Sequence, residues 1–123
     1  MRILLADDQP SVRSALRLLL EQEQELTVVA EVSNSDELLA QIEAGCHDLV
    51  LLDWELPGKK SEELVAAVKA ICPGLFIIAL SSRPEARRAA LKGGADDFVS
   101  KGSSSQEVLA APSRHQQLRE KGI

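Results

Sequence analysis

The sequence has 123 residues, the length of one domain, and 45% of them are hydrophobic, which is enough for a folded core. It carries 14 Lys and Arg residues against 19 Asp and Glu residues, and the net charge of -5 argues against a basic surface for nucleic acid or an anionic membrane. No apolar run approaches the roughly 20 residues that cross a bilayer, and the N-terminus lacks a signal-peptide core. We therefore expect a cytoplasmic domain that binds neither membranes nor nucleic acid.

Five short, almost continuous apolar runs are typical of β-strands buried on both faces of a sheet. In chain order they occupy residues 3–6, 27–32, 48–52, 75–80 and 97–100. The stretch after each run has the spacing or the terminal signals of a helix. Strands that alternate strictly with helices form parallel sheets with right-handed crossovers, so we predict an α/β fold with helices on both faces of the sheet.

The last predicted helix, from about residue 104 to about residue 120, contains Pro112. A proline in a helix interior removes a backbone hydrogen bond and costs about 3 kcal/mol. We therefore expect this helix to stop or kink near Ala111, with a second short helix or a frayed tail after it. The predicted division is a domain of residues 1–111 and a tail or linker of residues 112–123.

The two cysteines, Cys46 and Cys72, are 26 residues apart and belong to no C-x-x-C or zinc-binding pattern. Cysteines in a cytoplasmic protein are usually reduced. We therefore expect two reduced cysteines that pack as small hydrophobic residues.

Polar residues end four of the five predicted strands. Asp7 and Asp8 follow the first strand, Asp53 the third, Ser81 the fourth and Lys101 the fifth. The carboxyl ends of parallel strands share one edge of the sheet, where ligands bind. Three carboxylates at one site repel each other, and a hard divalent cation such as Mg²⁺ relieves that repulsion. With Lys101 as a further positive charge, the set suits phosphoryl transfer to an aspartate nucleophile.

Four segments place these residues in a wider pattern. They are residues 5–8 (LADD), 51–58 (LLDWELPG), 79–82 (ALSS) and 94–101 (GADDFVSK). Together they resemble a response-regulator receiver domain over about residues 1–111. Two further segments, 9–16 (QPSVRSAL) and 28–31 (VVAE), are most similar to receivers that carry a C-terminal helix-turn-helix. The resemblance implies a CheY-like, flavodoxin-like parallel sheet of five strands in the order 2-1-3-4-5, and phosphorylation by a histidine kinase.

The resemblance also implies a role for each residue of the acidic site. Asp53 would accept the phosphoryl group, and Lys101 would bind that group. Asp8 and Asp53 would bind Mg²⁺ directly, and Asp7 would bind it mainly through water. The backbone carbonyl of Glu55 would complete the protein ligands.

Ser81 and Phe98 match the switch positions of receiver domains. After phosphorylation Ser81 would move towards the phosphoryl group, and Phe98 would turn inward. The face made by helix 4, strand 5 and helix 5 would then change shape, and a homodimer could form through it. Glu55 and Arg83 lie two residues after Asp53 and Ser81, so they either form an ion pair across the mouth of the site or remain separately solvated.

The predicted function is a phosphorylation-activated switch of a two-component system, which takes its phosphoryl group from a histidine kinase or a phosphotransfer protein. It is not predicted to be a small-molecule enzyme, although a flavodoxin-like or phosphatase-like enzyme is one alternative. The chain could also be the receiver part of a DNA-binding transcriptional regulator, or an interaction module that no longer transfers phosphate. The complete set of site residues argues against the last alternative.

Overall fold

The computed structural model describes residues 1–102 and 105–120, and for residues 105 and 116–120 it describes the backbone alone. Strands and helices alternate along this part of the chain as β1 (Arg2–Ala6), α1 (Pro10–Leu20), β2 (Thr27–Val32), α2 (Ser35–Ala44), β3 (Leu49–Asp53), α3 (Ser61–Ile71), β4 (Phe76–Ser81), α4 (Ala86–Lys92), β5 (Asp97–Ser100) and α5 (Ser105–Glu120). The strands form one parallel sheet in the order β2-β1-β3-β4-β5, which confirms the predicted fold.

Hydrophobic side chains pack on both faces of the sheet. In β1, Ile3 and Leu5 belong to a core covered by α1 and α5, whereas Leu4 and Ala6 belong to a core covered by α2, α3 and α4. Because both faces are covered, the strands are apolar at successive positions, and the apolar runs predicted their bounds to within one residue. Among the described helices, none is both long and apolar enough to cross a membrane.

The expectation that the last helix stops near Ala111 is wrong, because α5 continues to Glu120 with Pro112 inside it. A kink at this point stays a prediction. Pro112 has no N–H, so the carbonyl four residues earlier loses its helical partner. Burial offsets that loss. Ala111 and Pro112 are buried, and the ring of His115 stacks on Phe76 with a centroid distance of 4.2 Å. The division of the chain at residue 111 stays a prediction.

The expectation of two reduced cysteines is also wrong. Cys46 and Cys72 form a disulfide, with 5.9 Å between their Cα atoms. Cys46 lies between α2 and β3, and Cys72 directly follows α3 before β4. Because β3 and β4 are parallel neighbours, their two preceding loops meet at the same edge of the sheet. The disulfide therefore joins the ends of α2 and α3, at the edge opposite the carboxyl ends of the strands.

The loop between β3 and α3 is attached to the first residue of α2. The N–H of Ser35 donates to the carbonyl of Pro57 at 3.0 Å, and the N–H of Lys59 donates to Ser35 Oγ at 2.9 Å. Gly58 lies between them with a φ of 115°, and a Cβ there would lie 2.0 Å from Ser35 Oγ. A glycine is therefore required on both conformational and steric grounds. This attachment holds the loop that follows Asp53.

Candidate functional site

Three carboxylates meet at the carboxyl ends of β1 and β3, which are neighbours in the sheet. Asp7, Asp8 and Asp53 each offer an oxygen, and these oxygens lie within 4.8 Å of one another. Asp7 and Asp53 are only 1% and 3% exposed, whereas Asp8 is exposed. The acidic cluster that the strand ends predicted is therefore present, with two of its carboxylates buried.

Lys101 brings a positive charge to this acidic cluster from the end of β5. Its Nζ lies 2.7 Å from Asp7 Oδ2 and 3.4 Å from Asp53 Oδ1. Burial by itself lowers the pKa of Lys101, but the hydrogen bond to Asp7 and the charge of Asp53 outweigh it, and the net pKa is raised. Lys101 is therefore charged at neutral pH and bridges the two buried carboxylates.

The environment of Asp53 does not favour its negative charge. Burial raises the pKa of Asp53. The Glu55 N–H, which donates to Asp53 Oδ1 at 3.0 Å, and the charge of Lys101 lower that pKa, but burial outweighs them. When ionised, three carboxylates and one ammonium leave two uncompensated negative charges. A cluster of carboxylate oxygens with this excess charge can hold a hard divalent cation.

Ser81, the last residue of β4, is fully buried and held by two neighbours. Its hydroxyl donates to Glu55 Oε1 at 2.9 Å and accepts the N–H of Arg83 at 3.0 Å. Arg83 Nη2 also lies 3.2 Å from Glu55 Oε2, so of the two alternatives left open for these residues the structure shows the ion pair. Glu55 thus contacts the Ser81 hydroxyl through its carboxylate and Asp53 through its backbone N–H.

A comparison with models of known protein families finds a match that agrees with this strand order and this placement of side chains. The family model described as the response regulator receiver domain matches residues 3–112. The chain belongs to this family. Receiver domains of this kind serve phosphorylation-related signalling in two-component systems.

Curated relatives of this receiver domain include proteins named as response regulators. It is 32% identical over 111 residues to the nitrate/nitrite response regulator protein NarL of Escherichia coli (strain K12), covering 89% of this chain and 51% of NarL. It is 31% identical over 113 residues to the response regulator UvrY of Escherichia coli O157:H7, covering 90% of this chain and 52% of UvrY. The chain spans about half the length of these relatives.

Solved structures of receivers share the fold. The CheY-like receiver domain protein of Methanospirillum hungatei JF-1 is 26% identical with a TM-score of 0.84, covering 99% of this chain and 98% of that one. RcsB of Salmonella enterica serovar Typhimurium, bound to a promoter in the presence of the phosphomimetic BeF3-, is 27% identical with a TM-score of 0.85. That match covers 95% of this chain and 60% of the RcsB chain.

Phe98 of this receiver domain is already buried, with 4% exposure, within the core under α2, α3 and α4. The guanidinium of Arg87 lies 5.9 Å from the centre of the Phe98 ring, and Arg87 Nη1 donates to the Phe98 carbonyl at 3.5 Å. The ring is therefore packed in the core of this structure, and its turn on phosphorylation stays a prediction. The packing of a ring without a hydroxyl into an aliphatic core accounts for its burial.

Two side-chain contacts of the receiver site were missed by the sequence analysis. The sequence analysis related the Glu55 carboxylate to Arg83 but not to Ser81, whose hydrogen bond that carboxylate accepts. Arg87, over the ring of Phe98, was not singled out at all. For Glu55, its spacing from Asp53 was the feature of the sequence that pointed to this part of the site. For Arg87, nothing in the sequence indicates which residue of α4 covers Phe98.

Proposed function

We propose that this receiver domain accepts a phosphoryl group on Asp53 from a histidine kinase or a phosphotransfer protein, and that the modified aspartate acts as a signalling switch. One observation carries the proposal: Asp53 is buried beside the Lys101 ammonium, with two further carboxylates within 4.8 Å. A structural ion pair needs one carboxylate for one lysine. The excess negative charge suits a site that also receives a cation.

In the transfer step, a carboxylate oxygen of Asp53 attacks the phosphorus of a phosphohistidine in line with the P–N bond. The new P–O bond forms as the P–N bond breaks, and the imidazole leaves with the electron pair and takes up a proton. The product is an acyl phosphate on Asp53. Lys101, which already contacts Asp53, donates to a phosphoryl oxygen and offsets the charge that gathers there.

The acidic cluster fits Mg²⁺, because this ion prefers a few carboxylate oxygens and keeps several waters. Asp8, Asp53 and the backbone carbonyl of Glu55 are the proposed direct ligands, and Asp7 would act mainly through water. When bound, Mg²⁺ would offset negative charge on the transferring group.

The switch residue must change partners in this scheme. Ser81 now donates to Glu55, and it can donate to a phosphoryl oxygen on Asp53 only if it leaves that carboxylate. Its movement shifts the end of β4 and the backbone N–H of Arg83, which donates to Ser81 Oγ. Because Phe98 is already buried, the first structural change is proposed to occur at Ser81 and its contacts rather than at the ring.

Beryllofluoride, a mimic of a phosphoryl group, tests this proposed function without a cognate kinase. Trp54 follows Asp53 and is 7% exposed, so its fluorescence reports on the site. We expect saturable binding of beryllofluoride that requires both Mg²⁺ and Asp53. Binding that is unchanged in Asp53→Ala, or that needs no Mg²⁺, would contradict the proposal.

A metal titration tests the proposed ligands separately. Mg²⁺ alone should change the Trp54 emission, and Asp8→Asn should weaken its affinity by about tenfold or more, because removing a ligand costs at least as much as removing an outer partner. Glu43→Gln removes an exposed carboxylate at the far end of α2 and should leave the affinity unchanged. Wild-type affinity in Asp8→Asn would exclude Asp8 as a ligand.

We propose that the Glu55–Arg83 ion pair lengthens the lifetime of the phosphorylated state, because a pair beside Asp53 and Ser81 would hinder the attacking water. Both side chains are largely exposed, and such pairs contribute about 0–1 kcal/mol, so Arg83→Ala should shorten the half-life of phosphorylated Asp53 by at most about fivefold. The effect should be larger at low salt, where screening is weak. Equal decay rates in wild type, Arg83→Ala and the control Arg88→Ala at low salt would eliminate this role.

A second proposal concerns the output, and rests on the relatives. The chain matches about half the length of NarL and UvrY, and the RcsB structure is bound to a promoter. We infer that this receiver controls a DNA-binding region, and that a homodimer forms through α4, β5 and α5. Comparison with the encoded open reading frame tests the first point. Light scattering with and without beryllofluoride tests the second, where an unchanged molecular mass would contradict dimer formation on activation.

A further inference from the structure

We propose that the Cys46–Cys72 disulfide is a site of reversible exchange with thiols, through which a reducing thiol loosens the attachment of the loop that follows Asp53. The effect on phosphorylation rests on the proposed function, whereas the exchange itself does not. This disulfide lies at the opposite edge of the sheet from the acidic cluster and plays no part in the transfer step.

The two sulfur-bearing residues differ in their accessibility. Cys46 is exposed in the loop between α2 and β3, whereas Cys72 is 2% exposed in the core under α2 and α3. A surface cavity of about 450 Å³ opens beside the bond and is lined by both cysteines and by His47 and His115, among other residues. A thiolate can therefore reach the disulfide from solvent, and it meets Cys46 first.

The exchange begins when an external thiolate attacks the sulfur of Cys46. A mixed disulfide forms on Cys46 as the bond to Cys72 breaks, and Cys72 leaves as a thiolate that takes up a proton. A second thiol then attacks the mixed disulfide, so two thiols are oxidised to one disulfide while Cys46 and Cys72 are reduced.

The reduced state of Cys72 is compatible with the surrounding structure. Burial in an apolar core favours the neutral thiol over the thiolate. Its sulfur lies 4.0 Å from the carbonyl oxygen of Ile42, which can accept the S–H of the reduced residue. After reduction the two sulfurs must separate to van der Waals contact, and the exposed Cys46 can turn towards solvent while Cys72 stays in the core. Reduction therefore removes the covalent link between α2 and α3.

The link acts on the phosphorylation site through α2. One end of α2 is held by the disulfide, and its other end holds the loop after Asp53 through the bonds of Ser35 to Pro57 and Lys59. Without the covalent link, α2 opens more readily and these two hydrogen bonds break more often. The loop beside Asp53 thus becomes more mobile in the reduced protein.

The folded chain is incubated in buffers with increasing ratios of reduced to oxidised glutathione, and in parallel with a reduced protein dithiol of the thioredoxin type. After acid quenching and alkylation, intact mass spectrometry counts the free thiols. We expect none in oxidising buffer, two in reducing buffer, and one bound glutathione at intermediate poise. Reduction by glutathione, or by the protein dithiol alone, supports exchange at the Cys46–Cys72 disulfide and shows which class of thiol reduces it. Reduction by neither until denaturant is added overturns it.

Single-cysteine variants test the direction of attack. In Cys72→Ala, the exposed Cys46 of the folded protein should be alkylated at the rate of a solvent-exposed thiol. In Cys46→Ala, the buried Cys72 should be alkylated at least about tenfold more slowly, because access requires local opening. Circular dichroism checks that both variants fold. Equal alkylation rates in two folded variants would contradict attack at Cys46.

Hydrogen exchange tests the coupling to the loop. Reduction of the wild type should speed exchange of the Ser35 and Lys59 amides by about tenfold or more. The Lys101 amide, which donates to the Ser81 carbonyl between β4 and β5, should be unaffected. Unchanged rates at Ser35 and Lys59 would overturn the coupling. A failure of Asp53 to accept phosphate in both redox states would instead overturn the proposed function and leave the thiol results standing.

Discussion

Reduction of the Cys46–Cys72 disulfide should lower the free energy of unfolding by about 3.5 kcal/mol, because the bond closes a loop over a sequence separation of 26 residues and restricts the unfolded chain. For a domain of this size, the corresponding fall in Tm is on the order of 10–15 °C. The measurement is a pair of denaturant titrations of the wild type, with and without a reductant that does not absorb in the observation window. A reduced protein as stable as the oxidised one would contradict the claim that the disulfide stabilises the fold by restricting the unfolded chain.

Reduction of the wild type is the cleaner comparison for this effect, because Cys72 is buried and a serine there would replace an apolar sulfur by a polar hydroxyl in the core. Cys46 is exposed, so Cys46→Ser removes the bond with little other change. We expect Cys46→Ser to match the reduced wild type in stability, and to be insensitive to reductant. A variant that still loses stability on reduction would show that the reductant acts elsewhere.

Lys101→Ala should weaken the binding of beryllofluoride strongly while leaving Mg²⁺ binding in place. Lys101 contacts Asp7 and Asp53 and is proposed to bind the phosphoryl group rather than the metal. A charge-assisted contact of this kind contributes about 1.5–3 kcal/mol, so beryllofluoride affinity should fall by roughly 10-fold to 150-fold. The Mg²⁺ affinity should be unchanged or higher, because a cation that competes for the carboxylates has been removed.

The matched control for this variant is Lys69→Ala, which removes another Lys–Asp pair of the same domain. Lys69 Nζ lies 2.8 Å from Asp96 Oδ1, at the opposite edge of the sheet from the acidic cluster. Both variants are measured by the fluorescence of Trp54, first with Mg²⁺ and then with beryllofluoride. If Lys101→Ala binds beryllofluoride as tightly as Lys69→Ala does, Lys101 does not bind the phosphoryl group.

The α/β fold and the acidic cluster could be predicted from patterns that are local to each strand, whereas the order of the strands followed from the resemblance to receiver domains. A strand buried on both faces must be apolar at successive positions, and parallel strands place their carboxyl ends at one edge. These two facts were sufficient to bring together Asp7, Asp8, Asp53 and Lys101. The spacing of Glu55 and Arg83 from the strand ends left their ion pair open as one of two alternatives, and the structure decides in its favour.

The features that the sequence did not predict depend on contacts between distant parts of the chain. The disulfide requires the loops before β3 and β4 to meet, and the expectation about its cysteines came from compartment alone. Pro112 was weighed as a local helix breaker, whereas burial of the surrounding turn decides that α5 continues. The burial of Phe98 depends on how its side chain packs under α4. Neither apolar periodicity nor motif spacing predicts that packing.

The most direct test of the proposed phosphoryl transfer is the intact mass of the protein after incubation with acetyl phosphate and Mg²⁺. We expect the wild type to gain one phosphoryl group, and Asp53→Ala to gain none under the same conditions. Omission of Mg²⁺ should prevent the gain in the wild type. A wild-type mass that does not change, or an added phosphoryl group that persists in Asp53→Ala, would contradict the assignment of Asp53 as the phosphoacceptor.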